Sequence, residues 1–217
     1  MDPYKATYTT PLEMLYQWNE KVPNRVFLRQ PINGAYKTYT WAQVNDQARR
    51  LASSLLAQGL IKGDRVAILS KNCAEWFISD YAIQLAGLIS VPLYPMQTPD
   101  ALEYVLKHSD SKVIIIGKLD GAKQMEPGIP DNIIRIAMPY EMDMRINHQW
   151  DNILSSNDPI TDSPVHPMDD LMTIIYTSGT TGNPKGVMHT YRSFSSGAQN
   201  AAQALKINKD DRYLSFL

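Results

Sequence analysis

Residues 177–186 read TSGTTGNPKG, with three glycines, four hydroxyl side chains, one proline and one lysine in ten positions. Glycine lets successive backbone N–H groups turn toward one side and form an anion-binding concavity. Thr177, Ser178, Thr180 and Thr181 add hydroxyl donors, and Lys185 adds a full positive charge. Three kinds of donor converging on one loop are what a polyphosphate needs. Pro184 stiffens the chain beside the lysine. The competing reading is a plain hairpin turn, since turns also collect Gly, Asn, Pro, Ser and Thr. A tight hairpin needs only two residues, whereas this connection uses nine or ten. Composition alone leaves both readings open.

Spacing excludes two common nucleotide motifs. A Walker A loop places Gly-Lys-Ser/Thr after Gly and four residues; here Pro184 precedes Lys185 and Gly186 follows it. The dinucleotide fingerprint Gly-x-Gly-x-x-Gly does not fit either. Residues 171–176, LMTIIY, read as an apolar strand that delivers the loop, and 186–189, GVMH, as a second extended run. A helix is expected over 190–205, with Ala198, Ala201, Ala202 and Leu205 on one face.

The elements ahead of this unit alternate. Residues 40–59 carry Val44, Ala48, Leu51, Ala52 and Leu55 on one helical face, Thr40 and Gln43 as a capping box, and Gly59 as a C-terminal stop. A strand over 65–69, a helix over 74–86 and a strand over 89–93 follow. Thr98-Pro99 starts a helix that runs to His108. Residues 112–117, KVIIIG, read as a strand buried on both faces, and 133–138 as another strand. Asn33-Gly34 predicts a hairpin between short strands at 26–28 and 36–39. Alternating helices and strands with short connections imply an α/β fold: a mostly parallel sheet flanked by helices. Three prolines and many turn formers over 155–170 mark a linker. The expected division is an α/β unit over 1–156, a linker over 157–170, and the strand–loop–strand–helix unit over 171–217.

Composition bounds the function classes. The 217 residues are 44% hydrophobic and 20% charged, with a net charge of −1. That is ordinary globular usage, with no broad basic surface for nucleic acid. The longest mostly apolar stretch, 81–94, is too short to span a bilayer. The single cysteine, Cys73, cannot form an internal disulfide, so a reducing, cytoplasmic setting is expected. Cys73 is read as a small buried hydrophobe. The histidines at 108, 148, 166 and 189 share no metal-like spacing; the first three are read as surface or cap residues and His189 as structural. Tyr176 is read as a core aromatic, Asp64 as a turn residue and Glu75 as lying on a solvated helix face. Asp169 and Asp170 are read as caps of the strand entry. Trp18, Trp41, Trp76 and Trp150 are read as helix residues with one side in the core.

The exact string IIYTSGTTGNPKG resembles the signature phosphate-binding loop of the adenylate-forming (AMP-binding) enzymes, which include acyl- and aryl-CoA synthetases, luciferases and peptide-synthetase adenylation domains. GLIKGDRVAILSKNCAEWF (59–77), AGLISVPLYP (86–95) and YVLKHSDSKVIII (104–116) resemble successive family segments, in the family's order. GVMHTYRS and the closing DRYLSFL resemble long-chain fatty acyl-CoA synthetases in particular. The resemblance implies a two-step reaction: ATP and a carboxylic acid give an acyl-adenylate and pyrophosphate, and coenzyme A then takes the acyl group. It implies ATP β/γ-phosphate contacts from the side chains of Thr177, Ser178, Thr180, Thr181 and Lys185 and the backbone N–H groups of Gly179 and Gly182. Mg²⁺ would accompany the nucleotide.

Family enzymes are considerably longer, and their later motifs, including the lysine used in adenylation, have no counterpart among these residues. The expectation is therefore an N-terminal portion, inactive alone, with no catalytic residue and no metal ligand of its own. Apolar surface left uncovered would favour a homo-oligomer. Two alternatives stand beside this reading: a non-catalytic nucleotide- or phosphate-binding module, and an acyl-AMP ligase without a CoA step.

Overall fold

The computed structural model describes residues 8–177 and 183–215. Helix α1 (Pro11–Lys21) opens on a capping box in which Thr10 and Glu13 satisfy each other's backbone N–H groups. The sequence carries that signal in TTPLE, and the helix contains Trp18, read above as a helix residue. A hairpin follows, β1 (Val26–Ile32) and β2 (Ala35–Thr40), turning through Asn33 and Gly34, both at positive φ. The Asn-Gly pair is where expected, but both strands are longer than the short runs read from sequence.

Helix α2 (Trp41–Ala57) has the expected Thr40–Gln43 capping box. Then come β3 (Arg65–Leu69), α3 (Ala74–Leu85), β4 (Ile89–Leu93), α4 (Pro99–His108) and β5 (Ser111–Ile116). A short helix α5 (Ala122–Met125) runs into a 3₁₀ turn (Glu126–Gly128), followed by β6 (Ile134–Ala137), β7 (His148–Gln149) and α6 (Trp150–Ser156). The last elements are β8 (Leu171–Thr177), β9 (Lys185–Thr190) and α7 (Tyr191–Ala204).

Seven strands form one sheet in the order β7-β6-β5-β3-β4-β8-β9. All neighbouring pairs are parallel except β8 with β9. The uniform apolar runs of β3 and β5 conceal a period of two, as a pleated strand requires. Val66, Ile68, Val113 and Ile115 pack toward α1, α2, α3 and α6, with Leu15, Leu51, Leu55, Ile78 and Trp150. Ala67, Leu69, Ile114 and Ile116 pack toward α4, with Leu102, Val105 and Leu106. Helices therefore cover both faces, as a parallel sheet demands.

Glu75 departs from its expected solvated position: it is 1% exposed. It accepts hydrogen bonds from the hydroxyls of Tyr39, on β2, and Tyr140 (2.8 Å), just after β6, with Lys37 Nζ 3.9 Å away. A buried carboxylate needs such donors. Burial, reinforced by Glu75, pushes both phenols up, so they remain donors. The signal was available: Glu75 lies on the stripe it shares with Ile78, Ser79 and Ala82, all buried. Cys73, at the N-cap of α3, makes no side-chain cap bond; Gln30 Oε1, from β1, accepts from Ala74 N–H instead (3.1 Å). Cys73 is buried, and burial raises its thiol pKa, which fits a structural role.

Residues 157–170 carry neither helix nor strand but are strapped to the helices. Arg49 on α2 donates to the carbonyls of Ile160 (2.9 Å) and Asp162 (2.7 Å) and to Ser163 Oγ (2.7 Å). Arg50 donates to the Asn157 carbonyl (2.8 Å), and Tyr16 on α1 donates to that of Pro164 (3.1 Å). This strap carries the chain from α6 to β8.

Candidate functional site at the carboxyl edge of the sheet

Strand β8 enters the sheet beside β4, with Ser90 opposite Thr173 and the Thr173 hydroxyl donating to the Ser90 carbonyl (3.0 Å). Because β8 runs parallel to β3, β4 and β5, its C-terminus lies at the carboxyl edge of the sheet, where open α/β sheets bind their ligands. Strand β9 returns antiparallel, and the last rung of the ladder pairs Thr177 with Lys185. The glycine-rich connection thus leaves and re-enters across one closed rung. Thr177 and Lys185 are both exposed, and no carboxylate pairs with Lys185 among the described residues. Ser178, Gly179, Thr180, Thr181 and Gly182 lie outside the described residues.

Two residues behind the rung matter, and sequence reasoning gave neither a role in the site. Tyr176 is 6% exposed and pairs with Gly186. A Cβ on Gly186 would lie 2.8 Å from Ile174 Cγ2 and 3.2 Å from Tyr176 Cζ, so glycine is required by close approach. The Tyr176 hydroxyl lies 2.7 Å from His108 Nδ1, at the last position of α4, and the His108 ring stacks on Tyr104. Burial raises the Tyr176 phenol pKa. His108 is exposed, as expected of a cap residue, yet it ties α4 to β8.

Beyond β9, Thr190 caps α7 by accepting from Ser193 N–H (3.2 Å). Tyr191 is buried and stacks on His166, whose Nε2 lies 2.8 Å from the Gln84 carbonyl. Polar groups on α3 and α7 are buried here. Half-buried Asp80 accepts from Gln84 Nε2 (2.8 Å), and burial pushes its carboxyl up. Gln84 Oε1 and Ser195 Oγ are buried with no hydrogen-bond partner among the described residues. The helix face carrying Ala198, Ala201 and Leu205 is exposed rather than packed, with Leu205 at 70%. Asp169 pairs with Arg192 (2.9 Å) and Asp170 with Lys62 (2.9 Å), fixing both ends of the entry into β8.

A concavity of about 380 Å³ lies at the opposite, amino edge of the sheet, between Lys62, Gly87, His166, Asp170 and Tyr191. It is remote in chain direction from the rung. No group of three or more His, Cys, Asp or Glu side chains stands together as a metal site among the described residues. No helix among them is long and apolar enough to cross a membrane.

The parallel sheet, the carboxyl-edge rung and the loop string define a class. The model of the AMP-binding enzymes matches residues 15–217, and the chain belongs to that family of adenylate-forming acid and acyl-CoA ligases. It is 31% identical to fatty acyl-CoA synthetase A of Dictyostelium discoideum over 207 residues, 89% of this chain and 31% of that one. It is 28% identical to long chain acyl-CoA synthetase 5 of Arabidopsis thaliana, over 91% of this chain and 33% of the relative. The chain thus spans about a third of the length of the curated relatives it matches. Among solved structures, o-succinylbenzoate coenzyme A synthetase from Bacillus subtilis in complex with AMP superposes with a TM-score of 0.74 at 27% identity, covering 95% of this chain and 38% of that one. The acyl-CoA synthetase of Brucella canis shares the fold, with a TM-score of 0.76 at 22% identity over 94% of this chain and 38% of that one.

Proposed function

We propose that this chain supplies the nucleotide-phosphate end of an ATP-dependent acyl-CoA synthetase acting on a fatty acid. The full reaction would join a carboxylic acid and ATP into acyl-AMP and pyrophosphate, then transfer the acyl group to coenzyme A, with Mg²⁺ accompanying the nucleotide. The observation that carries the reading is the Thr177–Lys185 rung at the carboxyl edge, closing a loop of phosphate-binding composition. ATP, when bound, supplies the phosphoryl centre that the acid attacks and the pyrophosphate that departs. The Lys185 ammonium would offset charge on the β- and γ-phosphates, and the Thr177 hydroxyl would donate to them. Ser178, Thr180 and Thr181 would add hydroxyl donors, and Gly179 and Gly182 backbone N–H groups. Their work is positioning and charge stabilisation, not covalent chemistry.

The fatty-acid substrate is supported by the names of the relatives, several of which are fatty or long-chain acyl-CoA synthetases. By the family resemblance the lysine used in adenylation would lie outside these residues, so the 217-residue chain alone is expected not to catalyse acyl-CoA formation. One free, buried cysteine suits a reducing, cytoplasmic setting. Val187 and Met188 on β9, Phe194 on α7 and Leu205 at its C-cap leave exposed apolar side chains that self-association would cover. Calorimetric titration of ATP and pyrophosphate into the chain, beside Lys185→Ala and Thr180→Ala, tests the loop. Binding untouched by both substitutions would remove the assignment. Pyrophosphate release by the chain alone would overturn its inactivity.

A further inference from the structure

We infer that Tyr176 and His108 are positioning residues that set where the Thr177–Lys185 rung, and with it the Lys185 ammonium, is held. The inference rests on the phosphate-loop reading above and concerns residues that reading leaves without a role.

The rung needs an external anchor. It is the last pair of its ladder, and β9 is the edge strand of the sheet. Terminal rungs fray, and a lysine on a frayed edge samples many positions. Side chains alternate along a strand, so Tyr176 and Gly186 project to one face while Thr177 and Lys185 project to the other. The Tyr176 face is the one packed on α4, where Tyr176 joins Leu102, Val105 and Leu106 and Ile174 packs alongside. Restraint applied there fixes what is presented on the opposite face.

The restraint is a short relay. Gly186 leaves the space into which the Tyr176 ring fits, with Ile174 beside it. The phenol reaches 2.7 Å to His108 Nδ1. The imidazole stacks on Tyr104 one helical turn back, with ring centres 5.4 Å apart and planes inclined 26°. Helix α4 is anchored by fully buried side chains. Rotation of the Tyr176 side chain is therefore opposed at both ends: by packing against Gly186 and by a directional bond to a ring that is itself stacked. Supporting groups of this kind place a charge accurately without touching the ligand.

The test uses pyrophosphate as probe and the whole 217-residue chain. Tyr176→Phe keeps the ring against Gly186 and deletes only the hydroxyl; His108→Ala deletes its partner; His108→Asn retains a polar atom near the Nδ1 position. Tyr176→Phe and His108→Ala should weaken pyrophosphate binding ~3–10-fold, the range of one modest hydrogen bond, and His108→Asn should recover most of the loss. Amide hydrogen exchange at Lys185 and Gly186 should quicken in the two weakened variants without ligand. Exchange unchanged in Tyr176→Phe overturns the inference whatever the ligand does. Parent-like pyrophosphate affinity in Tyr176→Phe and His108→Ala, with affinity lost in Lys185→Ala, overturns it while leaving the loop reading intact. Affinity unchanged in Lys185→Ala removes the loop reading and the inference together.

Discussion

The central strands and the arm formed by β8, β9 and α7 share one sheet yet are held by different balances of burial and polar contact. β3 and β5 are enclosed on both faces by residues with essentially no exposure, such as Ile68, Ile114 and Leu51. The arm buries fewer side chains, chiefly Met172, Tyr176 and Tyr191, and adds polar contacts: Thr173 to Ser90, Tyr176 to His108, His166 to Gln84, and the ion pairs of Asp169 and Asp170. Its helix buries Tyr191 and Ser195 and leaves an apolar face in solvent. Hydrophobic burial is strong but non-directional; polar contacts are weaker and directional. The sheet centre relies on burial, whereas the arm adds directional contacts to a smaller buried set.

Four substitutions would break or sharpen that contrast. Ile114→Ala in the sheet centre should cost ~2–5 kcal/mol of unfolding free energy, read from urea titration; a cost under ~1 kcal/mol would show that the centre repacks as freely as the arm. Tyr39→Phe removes one of two phenol donors from buried Glu75 and should cost ~1–3 kcal/mol, and parent-like stability would place the carboxylate's support elsewhere. Asp80→Asn, on α3, should give a smaller gain of the opposite sign at neutral pH. Burial raises the Asp80 pKa in the fold, so the fold favours its protonated form. Native stability from this group therefore falls as pH rises from the ordinary carboxylate value through the raised one. The gain of Asp80→Asn should shrink in acid, and a pH-independent difference would remove the electrostatic account. Leu205→Ser should change stability by no more than ~0.5 kcal/mol yet reduce any self-association seen by light scattering. A large stability loss there would mean that α7 packs more tightly than its exposure indicates.

Much of the frame was legible in advance because local signals and burial agreed. Thr98-Pro99 and the Thr40–Gln43 box are direct cap chemistry, and the strands over 65–69 and 89–93 are apolar runs bounded by turns. Helix α1 is anticipated only at Trp18, and the Thr10–Glu13 capping box that fixes its start lies ahead of that residue in TTPLE. Glu75 was misplaced because a charge on a helix normally marks the solvent face, and only its stripe partners argue otherwise. In the site, the loop was legible as composition and as a string, whereas its supports were not. Tyr176 and His108 are 68 residues apart, and nothing in local sequence pairs a strand aromatic with the end of an earlier helix. Gly186 stood in the motif, but the close approach that requires glycine there exists only once β9 lies on β8.

The pairing of β8 with β4 also imposes a schedule. The Thr173–Ser90 contact closes a separation of 83 residues. At ~5–20 residues per second of synthesis, the edge of β4 waits roughly 4–17 s for its neighbour, while β5 covers β3 on the other side much sooner. Pro92 lies within that waiting strand and offers no N–H to a passing chain. The proline thus leaves that strand one backbone donor short during the interval before it becomes an inner one.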